Sequence, residues 1–283
     1  MADKTCVITG GTGGIGKATA LGLARLGARV VITGHDQARG DAAAADIRAA
    51  VAGAEVTLLL ADLSSQEQVR GLATELLDRC ERIDVLVNNA AIAPPQRRYT
   101  AEGIEVTLAT NYLAPVLLTK LLLDRLRASA PARIVTVSSH THRFVKSIPW
   151  AEVEGRGRVG PAAGYDLTKL FEVIWTLDLA EKLDPAEVTA NCLHPGWPLK
   201  TGLHRHAQGG FGIFLRLSQL FASPAAKGAE TSIHLASAPD LAGVSGRYFV
   251  NCREAALSDL ARDPTVRRRV VALNSRLCGL TAA

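Results

Sequence analysis

The chain has 283 residues, 48% of them hydrophobic and 5% aromatic, so it can bury a large core built mainly from Ala, Val, Leu and Ile. Its net charge of +5 is mild, and the basic residues are scattered apart from Arg267, Arg268 and Arg269 on a helix-like segment, so nucleic acid is not an expected partner. The five cysteines, Cys6, Cys80, Cys192, Cys252 and Cys278, form no C-x-x-C pair, which argues against a disulfide framework or zinc site and for a reducing, cytoplasmic setting.

Residues 6–9 read as a short buried strand that runs into Gly10-Gly11-Thr12-Gly13-Gly14-Ile15-Gly16. An apolar run this short, followed at once by glycines, is neither a signal peptide nor a membrane anchor. No apolar run reaches the length needed to span a bilayer. An Ala/Leu-rich helix follows to about residue 26, then Gly27 and a strand over residues 29–33. Glycines at the first turn of such a βαβ unit let backbone N–H groups and a helix N-terminus approach a diphosphate closely. Two glycine patterns fit, G-x-G-x-x-G on Gly11, Gly13 and Gly16, and T-G-x-x-x-G-x-G on Thr9, Gly10, Gly14 and Gly16.

The alternation continues. Residues 55–60 form a strand ending at Asp62-Leu63, residues 65–80 a helix, and residues 84–87 a strand ending at Asn88-Asn89-Ala90. A long helix is expected over residues 104–128, then a strand over residues 133–137 ending at Ser138-Ser139. After an irregular stretch comes a helix carrying Tyr165 and Lys169, then a strand over residues 188–192 ending at His194-Pro195-Gly196. A helix over residues 224–238 and a last strand over residues 247–250 complete the pattern. Strands and helices in this order predict an α/β fold, a Rossmann-type doubly wound parallel sheet with helices on both faces. With no repeat or linker, residues 1–283 read as a single domain.

Ligands of such sheets bind beyond the carboxyl ends of the strands. Polar or glycine residues recur there, at Gly10, Asp62, Asn88, Ser139 and Pro195-Gly196. Tyr165 and Lys169 stand at i and i+4, on one helical face, away from the apolar stripe of Leu167, Leu170, Phe171, Ile174 and Leu177. A phenol ionises near pH ~10 and is a poor acid or base at neutrality. A nearby ammonium is expected to draw its pKa down toward the working range.

Taken together, Thr9-Gly10-x-x-x-Gly14-Ile15-Gly16, Asp62-Leu63, Asn88-Asn89-Ala90, Asn111, Ser139, Tyr165-x-x-x-Lys169 and Pro195-Gly196 resemble the short-chain dehydrogenase/reductase family over nearly the whole chain. The stretches 9–20, 165–183 and 223–252 are most similar to its retinol dehydrogenase-like branch. The resemblance implies hydride transfer between a nicotinamide cofactor and a ketone, aldehyde or secondary alcohol, the substrate being a small molecule that can be bulky or cyclic. It implies a tetrad in which Tyr165 moves the proton, Lys169 lowers its pKa and holds the nicotinamide ribose, Ser139 binds the carbonyl oxygen, and Asn111 fixes a relay water. Ser138 reads as a packing residue.

The resemblance places Gly10, Thr12, Gly14, Ile15, Gly16, His35, Asp62, Leu63, Asn89, Ala90, Pro195, Gly196 and Thr201 against the cofactor, with Asp62 accepting from the adenine amino group. Gly34 occupies the place where an acid would bind the ribose 2′-hydroxyl. With His35, Arg39 and Lys17 nearby and Asp36 reading as a helix cap, NADP(H) is favoured over NAD(H). Loop 140–164 and lid 197–222 are expected to shape the substrate pocket. His140, His142, Arg143 and Arg205 suit a substrate with acidic or hydroxyl oxygens, while Trp150, Trp197, Phe211, Phe214 and Phe221 suit an apolar one. The pairs His140/His142 and His204/His206 lack a carboxylate at ligand spacing, so no metal is expected. An alternative keeps the fold and cofactor for epimerisation or double-bond chemistry without net redox. Relatives pair through their two central helices, and the long loop before Tyr165 leaves homodimer and monomer both open.

Overall fold

The computed structural model describes residues 1–154, 161–196 and 224–279. Eight strands form one sheet in the order β3-β2-β1-β4-β5-β6-β7-β8, parallel except for the last pair. In chain order the elements are β1 (Thr5–Ile8), α1 (Gly14–Arg25), β2 (Arg29–Gly34), α2 (Gln37–Ala50), β3 (Val56–Leu60), α3 (Gln66–Arg79) and β4 (Val85–Asn88). Next come α4 (Val106–Leu108), a π turn (Ala109–Leu113), α5 (Ala114–Ala128), β5 (Ala132–Val137), a 3-10 turn (His140–Arg143), α6 (Trp150–Glu154), α7 (Pro161–Glu181) and β6 (Val188–His194). The chain continues through α8 (Ala225–Ser237), β7 (Tyr248–Val250), β8 (Arg253–Glu254), α9 (Asp259–Arg262) and α10 (Pro264–Cys278).

Side chains alternate across each strand, so the sheet feeds a core on either face. Val7 and Leu86 join α3, α5, α7 and α10 on one side, through residues such as Leu72, Leu117, Phe171 and Val270. Ile8, Ile32 and Val87 meet α1, α2 and α8 on the other, through Leu23, Ile47 and Leu235. Strand order reverses direction between β1 and β4, and the crevice at that switch point is where such sheets bind ligands.

Three expectations are revised. The helix expected over residues 104–128 starts at Val106 and is interrupted by the π turn. Pro115 has no N–H to give the Asn111 carbonyl, the acceptor four residues earlier, which favours a local change in the hydrogen-bond ladder. Residues 106–128 are also long and apolar enough to cross a membrane, contrary to the sequence reading, but most of this segment is buried within the fold. Third, the sheet ends in a short antiparallel hairpin, β7–β8, turned by Asn251 and Cys252 at positive φ.

Arg268 and Arg269 are exposed, as expected of a solvated face, while Arg267 is half-buried. Arg267 pairs with Glu181 of α7, and the Arg269 guanidinium lies 4.0 Å from the centre of the Trp150 ring.

Candidate active site

The turn after β1 is a backbone cradle. Gly10 has φ +65°, and a Cβ at Gly16 would lie 2.3 Å from the Gly10 carbonyl oxygen and 2.5 Å from Asn89 Nδ2. Only glycine lets α1 start this close to the strand ends. The N-cap of α1, Gly13, offers no side-chain cap, and its first turn has no acidic residue, so its N-terminal N–H groups and dipole suit an anion. Thr9 ties β1 to β4: its hydroxyl oxygen accepts from the N–H groups of Asn89 (3.0 Å) and Ala90 (3.1 Å), and Asn89 Nδ2 donates to the Thr9 carbonyl at 2.8 Å. Asn89 and Ala90 therefore hold the rim together beside the cradle. Asn88 is buried and donates to Thr119 on α5.

At the end of β2, Gly34 carries no side chain for a steric reason. A Cβ there would lie 2.5 Å from Thr12 Cγ2. His35 is exposed, and Asp36 caps α2 by accepting from the Arg39 N–H at 2.9 Å. The Arg39 guanidinium approaches the cradle, 3.4 Å from where a Gly13 Cβ would be. Lys17 is instead paired with Asp46 of α2. At the end of β3, Asp62 is exposed and accepts from the Ser64 N–H at 2.9 Å, while Leu63 packs against the core.

The second group of residues gathers beyond β5. Ser138 turns inward and donates to the Lys169 carbonyl at 2.7 Å, as expected of a packing residue. Ser139 caps the 3-10 turn, accepting from the Thr141 N–H at 3.2 Å, and its hydroxyl lies near enough to the Tyr165 phenol to favour the ionised form. Lys169 Nζ lies 5.5 Å from the centre of the Tyr165 ring. Asn111, in the π turn, is buried. Its Oδ1 accepts from the Ile92 N–H at 2.8 Å, and its Nδ2 donates to the Ile92 carbonyl at 2.9 Å and to Thr168 Oγ1 at 3.3 Å. Thr168 in turn donates to the Tyr165 carbonyl at 2.7 Å, so Asn111 is linked to the helix turn that carries Tyr165 and Lys169.

The electrostatics depart from the sequence reading. Burial, then the carboxylates of Glu172 and Asp166, push the Tyr165 phenol above its ordinary value, against the opposing pull of the Ser139 hydroxyl. The downward pull expected from Lys169 does not prevail, because Lys169 is already engaged. Its ammonium donates to the Val137 carbonyl at 3.0 Å and to Glu172 Oε1 at 2.9 Å, and both side chains of the pair are buried. Sequence reasoning missed Glu172. The signal available was a carboxylate at i+3 from Lys169, between apolar residues of a helix.

The residues expected at the pocket wall have partners of their own. His142 is buried, with Nδ1 at 2.7 Å from the Ser139 carbonyl and its ring edge-on to Tyr248. Arg143 donates to the Ala256 carbonyl. Trp150 stacks on Phe171 at 6.5 Å. These three serve packing, while His140 stays at the rim beside His194, whose Nδ1 accepts from the His140 N–H at 3.2 Å. Pro195 and Gly196 follow β6 at the rim, Gly196 with φ +101°. Thr201 and lid 197–222 lie outside the described residues, as do residues 155–160 of the loop 140–164.

A family model described as short chain dehydrogenase matches residues 4–208. Human retinol dehydrogenase 14 is 38% identical over 296 residues, covering 99% of this chain and 88% of that protein. Human retinol dehydrogenase 12 is 37% identical over 280 residues, covering 99% and 88%. Among solved structures, a short chain dehydrogenase from Burkholderia cenocepacia J2315 in complex with NADP has a TM-score of 0.68 at 25% identity, covering 88% of this chain and 96% of that one. A glycine cradle at the switch point, the gathering of Ser139, Tyr165 and Lys169 beyond β5 and whole-length relatives agree: the chain belongs to the short-chain dehydrogenase/reductase family, in its retinol dehydrogenase-like branch, and is an NAD(P)-dependent oxidoreductase of alcohol and carbonyl groups.

Proposed function

We propose that the chain reduces a ketone or aldehyde with NADPH, or oxidises the corresponding alcohol with NADP+, through Tyr165, Ser139, Lys169 and Asn111. The observation that carries this reading is the meeting of Ser139, Tyr165 and Lys169 beyond β5, one strand from the switch-point cradle. The cradle fits a dinucleotide, because the space that a Gly16 Cβ would fill is taken by backbone and the N–H groups of α1 have no side-chain cap. The bound cofactor supplies or accepts the hydride.

The chain's own residues do the rest. Tyr165 gives its phenolic proton to the carbonyl oxygen, or takes a proton from the alcohol in reverse. Ser139 donates to the same oxygen, where negative charge grows in the transition state. Lys169 supplies positive charge next to the phenol and, with two of its three N–H groups given to Val137 and Glu172, would have one left for the nicotinamide ribose. The Asn111 side chain is spent on Ile92 and Thr168, so a relay water would fall to its backbone carbonyl, which gets no N–H from Pro115 four residues on.

Three features favour the 2′-phosphate. Gly34 has no room for an acid under Thr12, Asp36 is committed to capping α2, and Arg39 reaches the cradle. The related Burkholderia cenocepacia structure was solved with NADP. The substrate class is a bulky apolar carbonyl or alcohol; relatives are named retinol dehydrogenases, so retinal belongs in any panel.

The test is NADPH oxidation against retinal and a series of ketones of increasing size, with wild type and Tyr165→Phe. Stoichiometric NADPH loss with product is expected, along with a fall of about 1,000-fold or more in Tyr165→Phe and little change in NADPH affinity. Product formed without NADPH loss would indicate epimerisation or double-bond chemistry instead. Substantial turnover by Tyr165→Phe would sink the assignment.

A further inference from the structure

A buried carboxylate stands behind the proposed acid, and no step described so far uses it. Glu172 follows Lys169 by three residues on α7, and each is about 2% exposed. Glu172 Oε1 is 2.9 Å from Lys169 Nζ, while Oε2 has no hydrogen-bond partner. Its chain neighbours Leu170, Phe171, Val173 and Ile174 are all buried apolar residues. Burying an ion pair with an unsatisfied oxygen is costly, and an apolar side chain would serve packing as well or better. This arrangement needs a reason other than stability.

The groups facing Glu172 narrow that reason. From its own helix these are Lys169 and Tyr165; from the turn after β5, Ser138; from the π turn, Tyr112; from β6, Cys192. The Ser138 hydroxyl is committed to the Lys169 carbonyl. Burial drives the Tyr112 phenol and Cys192 thiol upward, so both stay neutral near pH 7. The carboxylate therefore acts on the cation Lys169 and, through it and through space, on Tyr165.

We propose that Glu172 is a positioning residue for Lys169: its carboxylate holds the ammonium against the Val137 carbonyl and offsets its charge, keeping Tyr165 protonated and ready to act as an acid. This rests on the assignment of Tyr165 and Lys169 made above. Burial raises the Glu172 carboxyl and Lys169 opposes that rise, so the balance of the pair is sensitive to any change at either partner.

The test uses the full chain and the carbonyl of the panel that wild type reduces fastest, with kcat and kcat/KM followed against pH. Glu172→Gln keeps the shape and removes the charge, which leaves the Lys169 field on Tyr165 uncompensated. The alkaline limb of the reduction profile should then move down by about one pH unit. Glu172→Asp, which keeps the charge, should return the limb toward its wild-type position. If Glu172→Gln does not fold, Glu172→Asn removes the same charge with a smaller side chain. A limb that stays in place in a folded charge-removing variant, with only the melting temperature lowered, overturns the positioning role alone. Wild type inactive on the whole panel, or Tyr165→Phe still active, overturns the acid–base assignment and this proposal with it.

Discussion

The two halves of the rim are built by different physics. At the end of β1 the working parts are backbone groups, and the side chains are chosen for absence: Gly10, Gly16 and Gly34 sit where a Cβ would strike Ala90, the Gly10 carbonyl or Thr12. Beyond β5 the features are side chains in low dielectric, where burial and Glu172 raise the Tyr165 phenol, Ser139 opposes that rise, and Lys169 draws down the Glu172 carboxyl. The first half tolerates little change in shape and the second little change in charge. A substitution at one end should thus alter cofactor binding and stability, and at the other chemistry and pH dependence.

That division can be broken by experiment. After Tyr165→Phe, the largest effect is expected from Ser139→Ala, which in the proposed mechanism removes a donor to the developing oxyanion and should lower kcat about 100- to 1,000-fold while NADPH affinity holds. Loss of cofactor binding in that variant would erase the distinction. Gly16→Ala should do the reverse. Its Cβ has backbone 2.3 Å away, so thermal or denaturant unfolding should show a loss of about 2–3 kcal/mol together with weaker NADPH binding.

The third effect tests the β5–β6 side through pH. Burial first, then His140 and His142, push the His194 imidazole down to about 4. Its Nδ1 accepts from the His140 N–H, so the folded chain holds it neutral. An unfolded histidine titrates near ~6.5, so the unfolded chain binds more protons between that pH and about 4. Stability from this group is complete above ~6.5 and is lost as pH falls toward 4, on the order of 2 kcal/mol. His194→Asn should flatten that part of a stability–pH curve, and an unchanged slope would remove His194 from the account. The smallest effect is expected from Arg39→Ala, which should weaken NADPH binding about tenfold while sparing NADH. Equal losses for both cofactors would count against recognition of the 2′-phosphate by Arg39.

The same division explains what the sequence revealed. Glycine at Gly10, Gly14 and Gly16 is a steric requirement, so the cradle could be read from residue identity and spacing alone. Caps are equally local: Asp36 accepts from the Arg39 N–H three residues on, as its position suggested. The apolar stripe Leu167, Leu170, Phe171 is buried as its period indicated. The protonation balance of Tyr165 was not readable, because it depends on how deeply the phenol is buried and on which carboxylate reaches Lys169. The contacts of Trp150 and Arg143 were not readable for a related reason. Their partners, Phe171, Arg269 and the Ala256 carbonyl, are distant in sequence and known only once the chain has folded. The π turn had a visible cause in Pro115, which went unused.

The central claim is that hydride passes between a nicotinamide and a carbonyl carbon while Tyr165 handles the proton. It is tested most directly with NADPH carrying deuterium at the transferable position and the best carbonyl substrate of the panel. The account requires one deuterium on the former carbonyl carbon for each NADPH oxidised, and loss of this transfer in Tyr165→Phe. Product without deuterium, or undiminished transfer in Tyr165→Phe, would contradict it.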